Sequence, residues 1–591
     1  MAVSTDYHPI GSILKESGVI LIKHRRFGWL IGAAFVVLAL TGCAQSTKAD
    51  PPKQPQRVKD SAILSTAKIK SNIGSDLVST LKDQQAGTTA SLKAKLNSGK
   101  YTADNMYVQL NPYKTSPLSA IALFQTDEAV KVSYTVVGKT DKTSVTNTIA
   151  GYTTKHSLPI VGLYADYNNT VKVHLTTKAG KVTTKTLNIQ TKALAKNLAH
   201  LKLSVTKNDK TKMKLGNNQM TFLIRSTQRP FAVDADGAVR WYSDNYAQHI
   251  YKQLSNGHII LMNKKDNSHM VYNDLIETDY LGRVYKQYHI SNKTKSTENI
   301  KATAKSENKQ ETTVIHHDVI ELPNHNLLAT VSDGSKYVED TIVELSHKTG
   351  KVVKVLDMKR ILPKNMWKKY DSSTRSDGKV DWLHNNALYY DKSDKSLVIS
   401  SRHQDLVMKM DYKTGNIKWL FSGKKVKSWP KAYRPFVLKA AKGTTITGGQ
   451  HAAYLLDDHD GNANTRDLLL YDNNYAVTNG NKKTSGKFSQ AVQYTVNEKH
   501  MTIKQNWAYG KSLGKANYTD RIGNSQRLAN GNHLIDFGYL NAKNGTGSNI
   551  IEVAGDQQVF NLHVDNIPDK GYVYRAYRQP LFPSNYTFDL N

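Results

Sequence analysis

Residues 248–262 read QHIYKQLSNGHIILM, and the same plan returns at residues 316–331 as HHDVIELPNHNLLATV. In each, a histidine is followed five residues on by leucine, seven on by asparagine, and then by an aliphatic run. Two further copies start at His384 and His451, so that His249, His317, His384 and His451 stand 68, 67 and 67 residues apart. The apolar position holds Leu254, Leu322, Tyr389 and Leu456, and the turn position holds Asn256, Asn324, Asp391 and Asp458. A fifth copy, GNSQRLANGNHL, keeps the turn at Asn530 and carries Gly523 in the histidine slot. Self-similarity of this size with turn chemistry at a fixed offset marks a closed or stacked repeat fold. If equivalent residues point at a shared axis, four histidines far apart in sequence meet at one site.

Working outward, LSNGHIILMN, LPNHNLLATV, KSLVISSRH, RDLLLYDNN and LANGNHLIDFG each read as a strand beside a tight turn. Companion stretches such as DYLGRVYKQYHI and DYKTGNIKWLFSG place glycine at a turn before a strand, as hairpins do. Four-stranded sheets repeated radially make a β-propeller. Five repeats are explicit. The sixth blade is expected from FLIRSTQRPFAVDADGAVRWYSDN (222–245) joined by C-terminal strands around YVYRAYRQPLF (572–582). Such strand sharing closes the ring and removes open sheet edges. Upstream, VKVSYTVVG, TVKVHLTT and KVTTKTLNIQT alternate and are β-branched, which predicts a small antiparallel sandwich. From Ser61 to about Ser98 proline is absent, and Ile63, Leu64, Ile69, Ile73, Leu77 and Leu81 are spaced as on a helix, with Gly74 and Gly87 as weak points. The fold class is therefore all-β: a six-bladed β-propeller (215–591) preceded by a small β-sandwich (106–195) and a short helical region (61–105). Ser291 to Thr313, polar and lysine-rich, reads as a surface insertion.

The 591 residues carry a formal net charge of +32. The lysines are dispersed and no nucleic-acid-binding motif is present, so the charge reads as a solvated basic exterior and no nucleic-acid partner is expected. The sole cysteine is Cys43, which excludes an internal disulfide. Lys23, His24, Arg25 and Arg26 precede an apolar run, Trp29 to Leu40, that ends in Leu40-Thr41-Gly42-Cys43. A positive segment, a short apolar core and small residues before a cleavage point make a secretory signal, and the run is shorter than the roughly 20 residues a spanning helix needs. Leu-Thr-Gly-Cys resembles a bacterial lipobox, which implies cleavage before Cys43 and lipidation of its thiol. Residues 1–43 are then a lipoprotein signal and 44–60, polar and proline-rich, a tether. An extracytoplasmic lipoprotein held to the cell membrane through Cys43 is the expectation.

On the histidines' own strands, Asn386 lies two residues beyond His384, on the same face of a strand, and Arg402 follows the neighbouring strand segment of that repeat. Three neutral imidazoles would suit zinc. A fixed guanidinium nearby opposes a divalent cation, and no Asp or Glu occupies the register position to offset it. Arginine beside imidazoles and an amide favours a tetrahedral oxyanion such as sulfate or phosphate. No metal and no cofactor are expected. The plainer alternative is a set of polar channel-lining residues hydrogen-bonded to water.

The ordered motifs NPYKTSPLSAIALFQT (111–126), HSLPIVGLYADYNN (156–169), HHD (316–318), DWLHNNA (381–387), SSRHQ (400–404) and GGQHAA (448–453) resemble those of bacterial arylsulfate sulfotransferases. The resemblance implies a six-bladed propeller behind a small β-sandwich, and transfer of a sulfuryl group from a phenolic sulfate donor to a phenol acceptor without a nucleotide sulfate donor. It assigns His451 as nucleophile, and His384, Asn386 and Arg402 as residues that hold the sulfate. Of the two histidines in HHD, the repeat register selects His317 over His316. His384 or His317 would act as acid and base, and His249 fits the register without motif support. A ping-pong cycle through a sulfohistidine at His451 is the mechanism expected, and a homodimer is suggested. Two other readings remain open at this stage. One is a non-catalytic, lipid-anchored propeller that binds anionic or sulfated ligands; the other is a metal-dependent hydrolase or lyase.

Overall fold

The computed structural model describes residues 52–590 apart from 141, 217, 227, 265–273, 293–313, 372–377, 458–459, 543–544, 569–570 and 584–585. The lipobox with Cys43, the tether as far as residue 51, nearly all of the 291–313 insertion and the turn residue Asp458 lie outside the described residues.

Six sheets follow one another along the chain. Blades two to five each run from an innermost strand outward: Tyr246–Gln253 to Val284–Asn292, Ile315–Glu321 to Val352–Asp357, Asn385–Asp391 to Ile417–Ser422, and His451–Leu455 to Thr502–Tyr509. Blade six runs from Asn524–Arg527 to Gln557–Ile567. Blade one takes Gln219–Arg225, Phe231–Val233 and Val239–Tyr242 from the start of the domain and its innermost strand, Val573–Pro580, from the end. That last strand pairs antiparallel with Gln219–Arg225. Neighbouring blades touch through their inner strands around a complete cycle. The chain is thus a six-bladed β-propeller closed by its C-terminal strand, as the stretches 222–245 and 572–582 predicted.

Three blades carry extra outer strands, the shortest being Lys439–Ala440 beside Thr502–Tyr509 on blade five. Lys202–Asn208 pairs with Gln557–Ile567 on blade six, and Ile73–Val78 pairs with Val284–Asn292 on blade two. The second pairing corrects the helical reading of residues 61–105. Helices Thr66–Asn72 and Thr80–Asn97 flank a strand, with Gly74 in the strand and Gly87 in the second helix. An exposed sheet edge offers a row of unpaired backbone donors and acceptors. Pairing with that edge, and burial of Ile69 and Ile73 against the aliphatic core of blades two and three, outweighs a spacing that would also suit a helix.

The sandwich is built on one long strand, Ser119–Val136. Its first half pairs with Thr153–Val161 and its second half with Asn168–Thr177. Arg240 of blade one fastens it to the propeller. The fully buried guanidinium donates to the carbonyls of Gly162 at 2.8 Å and Thr143 at 2.6 Å, and pairs with Asp234 at 2.9 Å.

The innermost strands of blades two to five all shift register near their first residues. Left-handed backbone recurs there: His249, His317 and His384 have φ of 55°, 45° and 50°. In blade five the left-handed residue is Ala452, at 54°, rather than His451. The near-equal sequence spacing of the four histidines therefore hides a one-residue slip. Three sit on the left-handed turn, and His451 stands just before it, with a different side-chain direction. Left-handed backbone is costly for residues with a Cβ, and it clusters where side chains are aimed for use.

Two glycines separate packing from backbone entropy. A Cβ on Gly538 would run into the Val573 carbonyl of the closing strand, whereas one on Gly87 meets nothing within 4 Å. Gly538→Ala is expected to cost about 1–3 kcal/mol, and Gly87→Ala to stabilise by about 0.5–1 kcal/mol. Thermal melts should move in opposite directions.

Candidate active site

His249, His317 and His384 converge at the axis. Ring centroids are 5.4 Å apart for His249 and His317, and 4.4 Å for His317 and His384. Beneath them lies a carboxylate that the repeat did not reveal. Glu339 Oε2 accepts from His317 Nε2 at 2.8 Å and lies 2.7 Å from His384 Nδ1. Asp381 Oδ2 accepts from the same His384 Nδ1 at 2.6 Å. Burial works against a charged His384, but Glu339 and then Asp381 outweigh it and hold the imidazolium up to about 10. His384 is thus a cation at neutral pH, and among the described residues nothing hydrogen-bonds its Nε2. His317, whose pKa burial lowers despite Glu339, is the neutral partner. It donates from Nε2 to Glu339, and its Nδ1 faces the Tyr574 hydroxyl at 3.3 Å.

His451 is in the opposite state. It is 2% exposed and its pKa lies well below the imidazole range, through burial first and then the positive charge of Arg402. Its Nδ1 faces two acceptors, the Gly449 carbonyl at 2.9 Å and Asn473 Oδ1 at 2.7 Å. The orientation of the Asn473 amide is fixed, because its Nδ2 donates to the carbonyls of Thr519 at 3.0 Å and Ile522 at 2.8 Å. Two oxygens at Nδ1 require the proton there, so the lone pair sits on Nε2. That lone pair accepts a long hydrogen bond from the Ile522 N–H, at 3.4 Å.

The neighbours of His451 are anchored into blade four. Gln450 Nε2 donates to the carbonyls of Ser401 at 3.0 Å and Leu406 at 3.1 Å. Asn386 Nδ2 donates to the Gln450 carbonyl at 2.8 Å, which commits one of its two amide hydrogens to the backbone beside His451. Asp405 gathers the next loop: its carboxylate accepts from the N–H groups of Gly449, Val477, Thr478, Asn479 and Gly480. Arg402, in the turn after Ser396–Ser401, donates to the Asp520 carbonyl at 3.2 Å and lies over the Tyr475 ring, while its buried Nε has no partner among the described residues. The residues singled out in the sequence thus come together: His317, His384 and His249 by ring contact, and Arg402 and His451 by mutual electrostatic influence. Asn386 joins them through the peptide before His451.

Glu339, Asp381, Asn473 and Asp405 were missed. The register position itself holds no carboxylate, as read from the sequence, but Glu339 and Asp381 reach the histidines from outside the register. With them come two sets of metal-ligand geometry, His316–His317–Glu339 and Asp381–His384–His403, each with ligand atoms within 4.8 Å. A divalent ion in the second set would have to displace the proton that His384 shares with Asp381 and Glu339.

Two cavities lie near these residues. One of about 630 Å³ is lined by Arg402, His403, Asp381, Tyr370 and Tyr475, among others, and does not include His451. A larger one of about 830 Å³ is lined by later stretches of the inner strands, including Tyr389, Tyr454 and Tyr577, and includes neither Arg402 nor His451. Arg575 of the closing strand lines the larger cavity and donates to the Asn386 carbonyl at 2.6 Å. The smaller cavity, not the larger, adjoins the chemically equipped end.

A buried imidazole whose Nε2 accepts only a long backbone hydrogen bond, an imidazolium and a guanidinium with an unmet donor make a set of groups suited to an anionic ligand. The family profile described as Arylsulfotransferase (ASST) matches residues 205–575, and that of the Arylsulfotransferase Ig-like domain matches residues 107–192. The chain belongs to the arylsulfotransferase family. Among curated relatives, the arylsulfate sulfotransferase AssT of Escherichia coli O6:H1 is 28% identical over 172 residues, which cover 27% of this chain and 28% of that protein. The protein of the same name from Lelliottia amnigena is 29% identical over 148 residues, 23% of this chain and 24% of its own length. The alignments thus span under a third of either relative. A periplasmic gluconolactonase of Pseudomonas aeruginosa aligns over 74% of this chain and 100% of its own at 10% identity, with a TM-score of 0.29, too low to bear on function.

The charge states can be read directly. In a nitrogen-15 NMR titration, His384 should stay protonated through neutral pH and lose its proton only as pH rises towards about 10. Glu339→Gln and Asp381→Asn should each bring that midpoint down.

Proposed function

We propose that this protein moves a sulfuryl group from an aryl sulfate to a phenol through a covalent sulfohistidine at His451, with no nucleotide sulfate donor and no cofactor. The observation that carries the reading is the state of His451: Nδ1–H is held by Asn473 and Gly449, leaving Nε2 as a neutral nucleophile.

In the first half-reaction, the Nε2 lone pair attacks sulfur. An N–S bond forms, the S–O bond to the aryl group breaks, and its electrons go to the phenolic oxygen. His384, charged and with Nε2–H unengaged, supplies the proton that makes the leaving group a phenol. In the second half, an acceptor phenol gives its proton to the now neutral His384 and its oxygen takes the sulfuryl group, breaking the N–S bond. Sulfuryl transfer should share the loose transition state of phosphoryl transfer, where positioning and charge stabilisation dominate. Arg402 would pair with sulfuryl oxygens through its unmet Nε and its fork, and the second amide hydrogen of Asn386 could reach another. His317 acts indirectly, by holding Glu339. Attachment to the outer face of the membrane through Cys43, and assembly as a homodimer, are part of the same proposal and rest on sequence alone.

The test is release of nitrophenolate from 4-nitrophenyl sulfate by purified protein, with and without phenol. Release that depends on phenol, with phenyl sulfate formed, is expected. His451→Ala should abolish it, and Arg402→Lys should fold but lose about a hundredfold in rate, the scale for loss of one well-aimed donor. Release independent of any acceptor would mean a hydrolase, and full activity in His451→Ala would remove the nucleophile from the account.

A further inference from the structure

The cavity of about 630 Å³ beside Arg402 is lined by two lysines in addition to that arginine. Its walls include the Tyr370 ring, stacked on His403 with centroids 5.7 Å apart, and the Tyr475 ring, which lies under Arg402 and is 41% exposed. Two lysines, Lys369 and Lys424, line the same space. Among the described residues no carboxylate pairs with either ammonium. The Lys424 ammonium stands over the Trp429 ring, 4.9 Å from its centroid. It is half-buried, and burial alone depresses its pKa. A partly desolvated cation without a counter-charge is unfavourable unless something anionic visits it. The two carboxylates lining the cavity do not serve: Asp381 is committed to His384, and Asp371 is exposed. Among the described residues no other lysine lines this cavity.

We propose that this cavity is the aryl subsite and that it selects rings bearing a second anionic substituent, a carboxylate or sulfonate, which Lys424 receives with help from Lys369. This rests on the sulfuryl-transfer reading for the placement of the sulfate end at Arg402. The ring lies between Tyr370 and Tyr475, and its distal anion meets the lysines. Specificity for the substrate is then electrostatic at the far end of the ring, separate from the chemistry at His451.

The test uses two probes, 4-carboxyphenyl sulfate and its methyl ester, which differ by one charge at the distal position. Binding is measured by calorimetry to the His451→Ala protein, so that turnover does not intervene. The carboxylate is expected to bind about tenfold tighter, the scale of one charge-assisted contact at a half-exposed site. Lys424→Met should bring the ratio close to one and Lys369→Met should lower it less. Lys172→Met, on the sandwich, should leave it unchanged, which separates the subsite from the bulk basic charge. Equal binding of the two probes, or a preference that survives Lys424→Met, would overturn the proposal. If the wild-type protein fails to turn over any aryl sulfate while the Lys424-dependent preference persists, the subsite stands and the transfer reading falls.

Discussion

The pairing of Val573–Pro580 with Gln219–Arg225 is the constraint from which the site follows. A propeller missing this strand would leave blade one with an open inner edge, and open edges invite pairing with other chains. The closing strand also reaches across the ring. Its Arg575 donates to the Asn386 carbonyl of blade four and approaches Asp318 of blade three at 3.4 Å, tying three blades at the axis. Asn386 in turn holds the peptide preceding His451. The strand contributed last by the chain therefore fixes, through two hydrogen bonds, where the residue proposed as nucleophile stands.

Around that frame, two histidines are driven to opposite charge states by what faces Nδ1. At His384 the neighbours are ionised carboxylates, and the ring stays charged to about 10. At His451 they are an amide oxygen and a peptide carbonyl, which orient a proton without paying for a positive charge, and Arg402 adds repulsion. One imidazole is thereby ready to donate a proton and the other to donate an electron pair. Pairs of like groups pushed apart in this way are how one site supplies both acid and nucleophile at a single pH. The carboxylates also temper the total charge of the pocket, so an arriving sulfate meets a guanidinium and an imidazolium that are partly balanced.

Much of this was legible in the sequence because repeats write it periodically. The spacing of His249, His317, His384 and His451 announced the axis, and the strands at 222–245 and 572–582 announced the closure. Asn386 and Arg402 were legible through the motifs that contain them. What escaped is aperiodic. Glu339 sits between strands Leu327–Val331 and Thr341–Leu345, on left-handed backbone with φ of 58°, and has no counterpart in the repeat register. Asp381 lies within DWLHNNA, three residues before His384, where its proximity to His384 was the available signal. Asn473 follows the strand Thr465–Asp472, within the stretch RDLLLYDNN, and only the fold brings it to His451. The strand Ile73–Val78 shares its apolar spacing with a helix, and its state is decided by an edge it meets more than 200 residues later.

The central claim is that His451 carries the sulfuryl group between substrates, and the most direct measurement is the mass of the protein itself. Protein mixed with excess 4-nitrophenyl sulfate in the absence of acceptor, quenched and digested, should show one added SO₃ on the peptide containing His451, lost again when phenol is supplied before quenching. An adduct confined to another residue, or phenol-dependent turnover at full rate with no adduct at any time of quenching, would contradict the account.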